Sequence, residues 1–93
     1  MYTITDYTYA MAKQYGLVVR PSSLKNKKID VFREGFKIGS VGDTRYSDYP
    51  TMKLIDPENP ENAEKRRKLY HARHKPELAP KYSGEWLAGH LLW

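Results

Sequence analysis

Lys28-Ile-Asp-Val-Phe-Arg33, then Glu34-Gly35, then Phe36-Lys-Ile-Gly-Ser-Val41 constrains this chain more than any other stretch. Two runs rich in β-branched and aromatic residues flank a two-residue turn with Gly second, a favoured hairpin connection. The spacing predicts an antiparallel β-hairpin with Arg33 facing Phe36, Val31 opposite Ile38 and Ile29 opposite Ser40. Side chains alternate between faces along a strand. This register therefore gathers Ile29, Val31, Phe36 and Ile38 on one face, the expected core face.

Upstream, Leu17-Val-Val-Arg20 reads as a short strand closed by Pro21. The loop after it, with Lys25, Lys27 and Lys28, reads as a solvated turn able to extend a basic patch. Residues 1–16 carry two patterns at once. Tyr2 and Ile4 alternate as in a strand, while Ile4, Tyr7, Met11 and Tyr15 step by three and four as in a helix. A short helix is the preferred reading, with Asp6 as its cap and Gly16 just past its end. Its tyrosines are expected to pack half-buried with wet hydroxyls. Residues 42–60 have the composition of a connection, too long to lie structureless in a domain of this size. Part of it is expected to pack down, anchored by Tyr46, Tyr49 and Leu54.

The next signal is a basic helix. Asn59 stands as N-cap, Pro60 at the first helical position, and Pro76 stops the run. Glu61 and Glu64 lie near the positive end of the dipole, each four residues before a lysine, and Arg73, His74 and Lys75 lie at the negative end. At 100° per residue, Ala63, Leu69, Tyr70 and Ala72 define one broad arc that includes Arg66 and Arg73. These two arginines, two turns apart, are expected to lay their stems on the core and reach fixed acceptors, with Asp43 and Asp48 as candidates. The opposite side carries Arg67, Lys68, His71 and His74, continued by Lys75. A second C-terminal helix is predicted over 84–92 with Ser83 as N-cap. Trp86, Leu87, His90, Leu91 and Trp93 fall on one stripe of it, which makes His90 a core histidine with one satisfied hydrogen bond.

Ninety-three residues predict a single compact domain, 1–93, with one modest core. The absence of cysteine excludes disulfides, thiolate nucleophiles and Cys-based zinc sites. No apolar run reaches the length of a membrane span, and the first residues lack a basic-then-apolar leader, so an intracellular, membrane-free protein is expected. His71-x-x-His74 has metal spacing but lacks a third ligand beyond His90 and scattered carboxylates. No Gly-x-Ser-x-Gly elbow or carboxylate cluster occurs. No enzyme activity, metal, cofactor or small-molecule substrate is therefore expected. A formal net charge of +5 favours acidic partners such as nucleic acid.

Three segments in this order, residues 36–51 (FKIGSVGDTRYSDYPT), 66–74 (RRKLYHARH) and 82–93 (YSGEWLAGHLLW), resemble a family of small uncharacterised proteins of tailed phages and large DNA viruses. The resemblance covers roughly residues 28–93. It rests on Tyr46, Ser47, Asp48, Tyr49 and Pro50, then Arg66, Arg67, Tyr70, Arg73 and His74, then Trp93. Where the family often has Pro after the serine matching Ser83, this chain has Gly84. The resemblance implies a viral origin and a place in the host cytoplasm or the virion. It brings no catalytic residues.

Together these readings predict an α+β fold, a small antiparallel sheet (the hairpin plus a short strand) packed against two C-terminal helices. Arg66, Tyr70, Arg73, Asp48, Trp86, His90 and Trp93 are expected to be structural. The favoured function is a non-enzymatic viral accessory protein that contacts nucleic-acid phosphates through Arg67, Lys68, His71, His74 and Lys75. The alternative is a protein–protein component, either a virion or neck part or an inhibitor docking on a host factor. That reading predicts an exposed apolar patch drawn from the tyrosines of residues 2–15 or from Trp93.

Overall fold

Glu34 and Gly35 both take positive φ (52° and 84°), as a two-residue turn matched to the strand twist requires. In the computed structural model, which describes residues 1–93, this turn joins β2 (Lys27–Arg33) to β3 (Phe36–Asp43). Arg33 faces Phe36, but a bulge then shifts the register. Phe32 pairs with Lys37 and Val31 with Gly39, which leaves Ile38 as the extra residue. Beyond the bulge Ile29 faces Val41, and Ser40 faces Asp30 and donates a 2.7 Å hydrogen bond to its carboxylate. The buried face is therefore Ile29, Val31 and Val41, with Ile38 half-buried. Phe36 is 76% exposed rather than in the core, because it lies on the turn side of the bulge.

β1 (Val18–Pro21) adds antiparallel to β2, with Val19 opposite Val31, and completes a three-stranded sheet in the order β1-β2-β3. Before it runs α1 (Asp6–Gln14), capped by Thr5 rather than Asp6 and ended by Gly16 in the left-handed region. The buried Thr8 hydroxyl of α1 donates to the Leu91 carbonyl at 2.7 Å. That bond ties α1 to α4 (Gly84–Leu91), whose Ser83 cap was legible in the sequence. Trp86, Leu87 and Leu91 of α4, with Leu92, close the core over the sheet against Ile4, Ala12, Leu17 and Val19. Gly39 lets Leu87 approach the strand; a Cβ there would stand 3.3 Å from it.

Within the stretch read as connection, residues 49–55 form a helix, α2 (Tyr49–Ile55). Asp48 is its cap, accepting the Thr51 amide at 2.9 Å, and Pro50 sits in the first turn. The basic helix α3 (Pro60–His74) begins at Asn59, as its sequence predicts, although the Asn59 side chain makes no capping bond. It packs chiefly on α2 and α4. The fold is thus α+β, with α1 and α4 against the sheet and α2 and α3 in a further tier.

Candidate nucleic-acid interface

The face that α3 turns inward decides which of its cations are free. Ala63 is buried, and Glu64, Arg67, Tyr70, His71 and His74 are half-buried. Arg66, Lys68, Leu69, Ala72 and Arg73 are exposed. The predicted arc is rotated: the stripe at 63, 67, 70, 71 and 74 faces the protein, so the expected anchoring of Arg66 and Arg73 is overturned. Neither arginine has a carboxylate within ion-pair distance. Asp48 instead accepts Lys28 at 2.7 Å, and Asp43 accepts Arg45 through two guanidinium bonds of 3.0 and 2.7 Å.

Arg67 takes the anchoring part. Its Nε donates to the main-chain oxygen of Trp93, and its guanidinium lies 5.2 Å from the Tyr49 ring centroid. Tyr49 is itself fixed: its hydroxyl donates to Glu64 at 2.6 Å, and Tyr7 meets its ring edge-on at 5.5 Å. The expectation that Arg67 faces outward to phosphates is corrected accordingly. A planar guanidinium over a ring, spent on a main-chain oxygen, is already engaged.

The other expected contacts divide. Lys68 and Lys75 are exposed, Lys75 in the left-handed region where α3 ends. His71 turns toward the short turn at Pro76–Leu78, with Nδ1 3.6 Å from Glu77 and Nε2 enclosed without a partner. His74 stacks on Tyr70 at 4.3 Å, so the two histidines do not converge on one point. Tyr70 also stacks almost parallel on Trp93, at 4.5 Å and 4°. Burial and the nearby Glu85 charge raise the Tyr70 phenol, which keeps this ring a neutral stacking surface. His90, half-buried, lies on Trp86 at 4.1 Å, with Nδ1 2.8 Å from the Trp86 carbonyl.

Between α3 and the sheet edge lies an open groove of about 680 Å³. Arg66, Leu69, Tyr70, Arg73 and His74 form one wall. Lys27, Gly42, Asp43, Tyr46 and Ser47 contribute from β2, β3 and the loop that follows, and Trp93 stands with Leu92 and Ala88 at the α4 side. Lys28, also at this surface, is neutralised by Asp48. The remaining formal charges are Lys27, Arg66 and Arg73 against Asp43, whose carboxyl Arg45 holds down at about 2. The groove is positive and rimmed by aromatic rings. Of the five residues first proposed for phosphate contact, His74 alone lines it.

Sequence reasoning missed Tyr46 as a groove residue, gave Lys27 only as part of a solvated turn able to extend a basic patch, and misassigned Arg66 and Arg73. One legible signal was available at the loop: Asp48-Tyr-Pro-Thr51 has the form of a helix N-terminus, which would have drawn α2 and with it the groove's edge. The chain matches no protein-family model, no curated protein and no solved structure, so the reading of this groove rests on its own geometry.

Proposed function

We propose that this protein binds nucleic acid, with Arg66 and Arg73 holding backbone phosphates in the groove beside α3. The observation that carries the reading is that both guanidiniums are exposed, lack an acidic partner and stand on the same stripe of one helix. Seven residues separate them, about 10.5 Å of helix, so the two side chains can take different phosphates of one strand. Arginine is suited to this work because its donor fork matches phosphate oxygens and its charge persists at every working pH. Lys27 and the outward Lys68 and Lys75 add to the positive field. The viral setting implied by the resemblance, host cytoplasm or virion, belongs to the same proposal.

Fluorescence anisotropy with a labelled oligonucleotide across about 50–200 mM salt tests it. Arg66→Ala with Arg73→Ala should weaken binding and reduce the slope of log affinity against log salt by about 2. An unchanged slope in the double variant would remove the arginines from the interface.

The second reading, docking on a viral or host protein, draws on different residues. Leu54 and Ile55 at the end of α2 are 69% and 75% exposed. Most N-terminal tyrosines are half-buried and Trp93 is stacked, which moves the expected apolar patch to α2. A purified viral or host partner that binds the protein but not Leu54→Ser/Ile55→Ser would favour this reading. Equal binding by both would count against it.

A further inference from the structure

We infer that the groove takes nucleic acid as a single strand, with an unpaired base laid on the ring of Tyr46; this rests on the phosphate reading of Arg66 and Arg73. Tyr46 is 71% exposed, although a tyrosine ring is large enough to gain substantially from burial. No other ring stacks on it, and its hydroxyl has no hydrogen-bond partner in the protein. Its backbone, by contrast, is fixed. The Tyr46 amide donates to the Asp43 carbonyl at 3.0 Å, while the Asp43 carboxylate accepts both the Arg45 amide, at 2.9 Å, and the Arg45 guanidinium. On the far side of this turn Asp48 is locked to Lys28. The structure therefore holds an unused aromatic face on a braced turn at the lip of a cationic groove.

A flat π-surface beside arginines complements a nucleobase joined to phosphates. Bases in a duplex are already stacked on both faces and cannot lie on the ring, whereas an unpaired base can. Trp93 and Tyr70, stacked on each other in the same groove, extend the aromatic lining toward α4. A nucleotide monomer shares the chemistry of base and phosphate. The separation of Arg66 from Arg73 favours a strand over a monomer.

The test compares labelled oligo(dT), a duplex of the same length, dTMP and inorganic polyphosphate, using wild type, Tyr46→Leu and Arg66→Ala/Arg73→Ala. The strand should bind more tightly than the duplex. Tyr46→Leu should weaken strand binding by about 5- to 150-fold, the range of one base–aromatic stack, and leave duplex and polyphosphate binding and the salt slope unchanged. Duplex bound as tightly as the strand, dTMP bound as tightly as the strand, or a silent Tyr46→Leu each overturns the inference while the arginine reading stands. Wild-type binding in the double arginine variant overturns the phosphate reading instead, and no binding by any probe overturns both.

Discussion

The Lys28 ammonium and the Asp48 carboxylate form an ion pair of 2.7 Å with side chains only 5% and 1% exposed. It joins β2 to the cap of α2, and two further donors complete the carboxylate: the Tyr2 hydroxyl at 2.7 Å and the Thr51 amide at 2.9 Å. A buried carboxylate is tolerable only with such company. Asp48 thus closes three elements onto one point: the N-terminal segment, the sheet and α2. Lys28 was read from the sequence as a solvated turn residue; its burial is a consequence of where Asp48 lands.

Lys28→Ala should cost about 3–5 kcal/mol in urea unfolding, because it strands a buried charge. Lys28→Met with Asp48→Asn should be less destabilised than Lys28→Ala alone, since Asn keeps the cap through its Oδ1, turns its amide NH2 to donate to the Tyr2 hydroxyl oxygen, and removes the unpaired charge. A double variant no more stable than Lys28→Ala would show that the pair itself, and not the stranded charge, sets the cost.

The same pair gives acid stability a sign. Burial by itself raises the Asp48 carboxyl, but the Lys28, Thr51 and Tyr2 hydrogen bonds together outweigh it, and the folded value lies below the ordinary one. A carboxyl lowered in the folded state contributes stability that is complete above its unfolded value, about 4, and is lost as pH falls through the folded value. Wild type should therefore lose stability below about pH 4. In Lys28→Ala, with burial less opposed, the Asp48 share of that loss should flatten. Parallel pH–stability curves for the two proteins would contradict the assignment.

Arg67→Ala should destabilise the protein by about 1.5–3 kcal/mol, the range of a hydrogen bond from a charged donor. Arg66→Ala and Arg73→Ala, both at exposed side chains, should each stay within about 0.5 kcal/mol of wild type. Thermal unfolding of the three single variants checks the rotation of α3 directly.

Gly89 marks where α4 meets the turn at Pro76. A Cβ on Gly89 would stand 2.1 Å from the Pro76 Cβ, and the ring is fully buried with no room to withdraw. Gly89→Ala should cost about 1–3 kcal/mol or more, as an overpacked core does. At Gly84, where an added Cβ meets nothing within 4 Å, alanine should be neutral or slightly stabilising. Equal melting temperatures for the two variants would mean the Pro76 contact yields easily.

Of the site, the sequence supplied the cations and the aromatics but not their grouping. The helix carrying Arg66, Arg67 and Arg73 was legible because its start and stop signals are local: Pro60 within and Pro76 beyond. Its rotation was not. Leu69 and Ala72 suggest one face, yet Leu69 is 53% exposed, while Ala63, Tyr70 and the stems of Arg67 and His74 pack inward. Few apolar residues lie on this helix, so the rings of Tyr49 and Trp93, waiting on neighbouring elements, decide the matter.

Determined within the sequence itself were the Glu34-Gly35 turn, the Arg33–Phe36 pairing next to it, the end of α1 at Gly16 and the Ser83 cap, all set by interactions within a few residues. Tertiary structure decided the bulge at Ile38, the burial of Lys28 and the freedom of Arg66 and Arg73. The last two depend on partners brought from 20 or more residues away, Asp48 for Lys28 and Trp93 for Arg67. Backbone propensity makes a helix from either face; only a packed neighbour, through burial and hydrogen bonding, selects the face that is kept from water.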